Sequence, residues 1–244
     1  MSSFRIIPRL EVKSNYVIKG MRMEGLKKLG SPIQFAKKYS DNNFHEIFFE
    51  DVVASLYDRK IDVDLVRQVS TNINIPLIVA GGIKSINDIE TLFKNGADKI
   101  CINSAAVRNP KLITEASKIF GSQSISIIAQ FKMIDDKYEI FLESGRERVF
   151  KDLFKWVKEA EDRGAGEIFL ISIDNDGVEK DLDYNLLNRV RSISNLPLLY
   201  GGGLKHDSQI DYLKKIQFDG AIISNSLHNN KINFVKKYLW LANK

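Results

Sequence analysis

Residues Pro76-Leu77-Ile78-Val79-Ala80-Gly81-Gly82-Ile83-Lys84 return 121 positions later (197 − 76) as Pro197-Leu198-Leu199-Tyr200-Gly201-Gly202-Gly203-Leu204-Lys205. Each is a short apolar run ending in glycines, the pattern of a buried strand running into a loop. The same offset relates Glu46-Ile47-Phe48 to Glu167-Ile168-Phe169. It also relates Asp62, Leu65 and Val69 to Asp183, Leu186 and Val190, and Asp98 to Asp219. One matched tripeptide is ordinary; several segments in one register point to a duplicated unit. An offset of 121 is about half of 244 residues, so the chain reads as two halves, about residues 1–120 and 121–244.

Outward from these runs, short apolar stretches alternate with longer helical patterns along the whole chain, the signature of a parallel sheet. Strands are expected at residues 5–12, 45–52, 76–81, 99–103, 124–131, 167–174, 197–201 and 219–224. Amphipathic helical segments such as 86–95 and 156–163 separate them, and residues 137–143 suggest a small hairpin after strand five. Eight strands in two groups of four make an α/β fold: a single (βα)8 TIM barrel built from two (βα)4 half-barrels. The length suits one such barrel.

Composition narrows the function classes. With 36 Lys+Arg against 31 Asp+Glu, the net charge of +5 suits anionic small molecules. The basic residues are scattered and no arginine-aromatic track appears, so nucleic acid is not expected. No apolar run is long enough to span a membrane, the N-terminus lacks a signal-peptide core, and the expected compartment is cytoplasmic. Cys101 is the only cysteine, and His45, His206 and His228 are few and dispersed, so neither a metal nor another cofactor is expected.

A barrel of this kind places its chemistry at the C-terminal ends of its strands. Gly81-Gly82 ends strand three and Gly201-Gly202-Gly203 ends strand seven. Glycine lets the backbone approach a ligand closely, and a following helix start offers N–H groups to an anion. The next strand ends carry Asn103-Ser104 and Ser224-Asn225-Ser226, small polar groups suited to phosphate oxygens. Two anion sites are therefore expected, one per half, which a ligand with a phosphate at each end would span. The glycines could instead serve only to turn the chain.

These residues, with Arg5-Ile6-Ile7-Pro8, Val17-Ile18-Lys19-Gly20, Asp51-Val52-Val53-Ala54-Ser55 and Gly96-Ala97-Asp98-Lys99, resemble the cyclase subunit of imidazole glycerol phosphate synthase. So do Asn103–Val107, Gly121-Ser122-Gln123, Gly164–Ile168 and Asp174-Asn175-Asp176-Gly177, and the resemblance runs from about residue 5 to residue 228. It implies a barrel that receives ammonia from a separate HisH-type glutaminase and passes it through the core to a long substrate with two phosphates. The family products are imidazole glycerol phosphate and an aminoimidazole carboxamide ribotide. The four charged residues that ring the family's ammonia entrance are matched by Arg5, Glu46, Lys99 and Glu167. Asp98 and Gln123 match the glutaminase-docking face, and Asp176 and Gly177 join the phosphate-binding set. On charge alone, the four-residue ring could also be an ordinary ion-pair closure of the barrel bottom.

The family's acid/base pair is two aspartates, and here Glu11 and Gln130 stand in those positions, 119 residues apart (130 − 11). Glutamate adds a methylene, and glutamine neither gains nor loses a proton near neutral pH. Ile171 and Val178 replace threonines that the family usually carries near the second phosphate. The combination resembles a divergent branch associated with bacterial surface-sugar genes, in which the barrel and its glutaminase supply ammonia to a sugar amidotransferase acting on an N-acetyl sugar. Ammonia channelling for surface-sugar (O-antigen-like) biosynthesis is thus the expected function. The alternatives are a genuine cyclase of histidine biosynthesis and a non-catalytic phosphosugar-binding barrel.

Overall fold

The computed structural model describes residues 4–178, 181–229 and 233–239. Eight parallel strands close on themselves: β1 (Arg5–Lys13), β4 (Ile47–Asp51), β5 (Leu77–Ala80), β6 (Lys99–Ile102), β7 (Ile125–Ile134), β10 (Glu167–Ser172), β11 (Leu198–Gly201) and β12 (Gly220–Ile223). Each pairs with the next in that order, and β12 returns to β1 with Ile7 opposite Ile222. The fold is the expected (βα)8 barrel.

Two strands carry antiparallel extensions. β1 continues into β2 (Tyr16–Met21) and β3 (Glu24–Gly30), while β7 continues into β8 (Lys137–Leu142) and β9 (Glu147–Asp152). The hairpin expected at 137–143 is therefore the start of a three-strand meander. Its counterpart β2, at the offset of 121 (137 − 16), was not anticipated.

Period-2 alternation sorts the strand residues into two cores. One side of each strand packs under the helices, as Ile6, Leu10, Val79 and Leu170 do. The other side fills the barrel with one apolar residue from each strand: Ile7, Phe48, Ile78, Cys101, Ile128, Phe169, Leu199 and Ile222. Phe48 and Phe169 meet edge to face at 5.2 Å across this interior.

Several repeated residues have local structural causes. Asp62 caps the helix Val63–Ser70 by accepting from the Leu65 amide at 3.0 Å, and Asp183 caps the helix Tyr184–Ile193 by accepting from the Leu186 amide at 3.0 Å. Asp98 accepts from the Leu77 amide at 2.8 Å, as Asp219 does from Leu198 at 2.9 Å. Gly81 and Gly202 sit at φ +103° and +110°, where an added Cβ would lie 2.2 Å from the Asp51 carbonyl and 2.5 Å from that of Ser172. The neighbouring strand end thus demands glycine at both places, whatever binds above them.

Candidate functional site

At the N-terminal ends of the strands, Arg5, Glu46, Lys99 and Glu167 form one closed circuit. Arg5 donates to Glu46 at 3.1 Å and to Glu167 at 2.7 Å, and Lys99 lies 2.9 Å from Glu46 and 3.4 Å from Glu167. Ser126 adds a bond of 2.7 Å to Glu167. Burial would raise the Glu167 pKa, but Arg5 and Lys99 outweigh it and hold the carboxyl below its ordinary value. Glu46 Oε2 is buried with no hydrogen-bond partner among the described residues, so the circuit keeps one spare acceptor.

Two residues beyond the apolar interior, the inward positions become polar. Arg9 on β1 donates to Glu50 on β4 at 2.7 Å and lies 3.6 Å from Glu11. Lys19, delivered by β2, reaches Glu11 at 2.5 Å and Asp176 at 2.8 Å. All five side chains are buried, so two cations face three carboxylates. These cannot all be held down together. Burial would raise Glu11, but Lys19 and Arg9 pull it to about 2, whereas burial keeps Glu50 and Asp176 above their ordinary values despite Arg9 and Lys19.

Gln130 occupies the position equivalent to Glu11. Glu11 registers with Glu50 and Gln130 with Ile171, and those partners are 121 apart (171 − 50). The Gln130 side chain is 1% exposed, and neither its Oε1 nor its Nε2 has a hydrogen-bond partner among the described residues. It faces a cavity of about 240 Å³ that gathers Gly81, Gly82, Asn103 and Ser104, with Cys101 and Ile128 at its floor. A second cavity, of about 60 Å³, gathers Asp176, Gly177, Gly202, Gly203, Ser224 and Asn225. Both groups expected at the strand ends are thus brought together, each around its own hollow. Val178 lines the second cavity, and Ile171 is buried in the barrel interior.

On the opposite face, Asp98 is exposed beside a hollow of about 300 Å³ that also includes Asn74, Pro76 and Gly96. Gln123 is exposed in the short turn Ser122–Ser124. Among the described residues, no group of three or more His, Cys, Asp or Glu could hold a metal ion. No helix of the described residues is long and apolar enough to cross a membrane.

The family model described as "Histidine biosynthesis protein" matches residues 5–233. Imidazole glycerol phosphate synthase subunit HisF of Natranaerobius thermophilus is 39% identical over 98% of this chain and 96% of its own length. The protein of the same name from Flavobacterium psychrophilum is 43% identical over 83% of this chain and 81% of its own, and that of Bacillus cereus 38% over 100% and 98%. This chain belongs to the histidine biosynthesis protein family, in its HisF type.

Within a HisF-type barrel, three residues of this site were not read from the sequence. Arg9 and Glu50 had a usable signal: they sit two residues beyond the inward-facing Ile7 and Phe48. Lys19 had its place in the Val17–Gly20 match and the offset of 121, but it reaches the site only once β2 folds it over the mouth. Chemically, the carboxylate at position 11 is held by two cations, and position 130 offers one donor group and one acceptor but no titratable proton.

Proposed function

We propose that this chain is the barrel subunit of a glutamine-dependent ammonia-transfer complex, with its own cyclase chemistry disabled. A HisH-type glutaminase docks at the face bearing Asp98 and Gln123, and its ammonia crosses the circuit of Arg5, Glu46, Lys99 and Glu167 and rises through the apolar interior. The acceptor belongs to surface-sugar biosynthesis and is handled by a sugar amidotransferase. The observation that carries the reading is a contrast between the two ends of one barrel. The entrance circuit is complete, while at the exit Glu11 is held by Lys19 and Arg9 and Gln130 has no proton to exchange.

The deciding experiment compares amidated product made from glutamine and from ammonium, with the glutaminase present and Tm recorded for each variant. Lys99→Ala and Glu167→Ala are expected to lower the glutamine-dependent yield and leave ammonium use near wild type, because free ammonium reaches the upper face from solvent. Equal losses with both nitrogen sources, tracking Tm, would make the circuit structural only. A second reading, a cyclase of histidine biosynthesis, draws on the HisF names of relatives 38–43% identical and on the carboxylate kept at Glu11.

A further inference from the structure

The two cavities at the barrel mouth are separated by a buried ion pair. Arg9 lines the smaller one and Glu50 the larger, and the two side chains meet at 2.7 Å. Glu11, Lys19 and Asp176 thicken this partition on the β1 side. The smaller cavity offers about 60 Å³ and the larger about 240 Å³. The first has room for a phosphate group, the second for a sugar ring with its phosphate.

We propose that the mouth takes two separate ligands: a hydroxyl-bearing sugar monophosphate in the cavity beside Gln130, and a lone phosphate-sized anion in the cavity beside Arg9. Gln130 selects the first. Its Nε2 and Oε1 are buried without a partner, and the nearby Asn103 Oδ1 is in the same condition. A hydroxyl both donates and accepts, so a sugar body can satisfy all three atoms, which an apolar body would leave unpaired. Its phosphate lies toward Gly81, Gly82 and Ser104. A single ligand with a phosphate at each end would have to cross the Arg9–Glu50 pair, and separating those charges inside the barrel is costly. The inference goes beyond the ammonia reading and does not depend on it.

Calorimetric titrations with ribose 5-phosphate, inorganic phosphate and the family's doubly phosphorylated ribulosyl substrate test the partition. A ligand that reached both sites at once would gain about 10²–10⁴ in affinity over a monophosphate. The wild-type chain is expected to bind the bisphosphate within about tenfold of ribose 5-phosphate, well short of that gain. Gln130→Leu should weaken ribose 5-phosphate about tenfold, the loss of one or two hydrogen bonds, and leave inorganic phosphate unchanged. Arg9→Ala combined with Glu50→Gln removes the ion pair between the cavities and should raise the affinity for the bisphosphate relative to ribose 5-phosphate. Bisphosphate binding a hundredfold tighter than ribose 5-phosphate in the wild type would overturn the partition. Unchanged ribose 5-phosphate binding in Gln130→Leu, or none in the wild type, would overturn the ligand assignment. If the double variant does not fold, the wild-type comparison decides alone. Neither result alters the yield ratio between glutamine and ammonium, so the two readings fail separately.

Discussion

Lys19 stands 2.5 Å from Glu11 and 2.8 Å from Asp176, so one buried ammonium ties the end of β1 to the loop after β10. A carboxyl held at about 2 by Lys19 and Arg9 against its burial is a weak base near neutral pH. With ammonium and the family's ribulosyl formimino carboxamide ribotide, we expect turnover far below the usual roughly 1 per second. Glu11→Asp with Gln130→Asp should restore part of the rate once Arg9→Ala and Glu50→Gln have also removed the pair between the two cavities. A wild-type rate in the usual range would establish the cyclase reading instead.

Gln130 gives a prediction about stability. Its amide is buried with both polar atoms unpaired, and such a group costs about 1–3 kcal/mol. Gln130→Leu, similar in size and without polar atoms, should therefore raise the unfolding free energy by about that amount. Urea denaturation of the unliganded protein measures it. A destabilised variant would mean that the amide has a bonded partner, such as ordered water, in solution.

The barrel was legible because its evidence is local and repeated. The glycine-ended runs at 76–84 and 197–205 fix strands whose observed limits, Leu77–Ala80 and Leu198–Gly201, fall inside the expected ones. The strand ends also named the residues that line both cavities. The ion network was less legible because it depends on β2, which lifts Lys19 over the mouth. The hairpin expected at 137–143, carried back by the offset of 121, falls on 16–22 and would have found that strand. The lack of partners around Gln130 depends on what surrounds it, and no sequence pattern states that.

The entrance circuit is cooperative by geometry, since Arg5 and Lys99 each contact both Glu46 and Glu167. Removing Glu167 alone leaves Arg5 and Lys99 sharing Glu46 as counter-charge, with an expected loss of about 1–3 kcal/mol. Replacing Arg5 and Glu167 together should cost less than the two single losses added, with a coupling energy of about 0.5–3 kcal/mol. A double-mutant cycle by urea denaturation measures this. Strict additivity would show that the circuit is not formed in solution.

His228 gives a pH dependence whose sign can be worked out. The ring is buried, with Nε2 3.1 Å from the Arg9 carbonyl and Nδ1 2.7 Å from the Tyr39 hydroxyl. A carbonyl only accepts, so Nε2–H donates to it and the neutral ring's Nδ1 accepts from Tyr39. Burial, helped by Lys19 and opposed by Glu11, lowers its pKa from 6.5 to about 4. The unfolded chain therefore takes up a proton that the folded one refuses. Stability is full above about pH 6.5 and falls as the pH drops toward 4, by up to about 3 kcal/mol. Between pH 7 and 5 Glu11, also lowered, does not yet act, since its ordinary value is 4.5, while Glu50 and Asp176, raised by burial, act in the opposite direction there. His45, lowered chiefly by burial, contributes there too, which makes the difference between wild type and His228→Gln the quantity to measure. The variant will start from a lower stability because it loses the ring's packing, but its slope between pH 7 and 5 should be the shallower one. Parallel slopes would mean that His228 carries the same charge in the folded and unfolded chain.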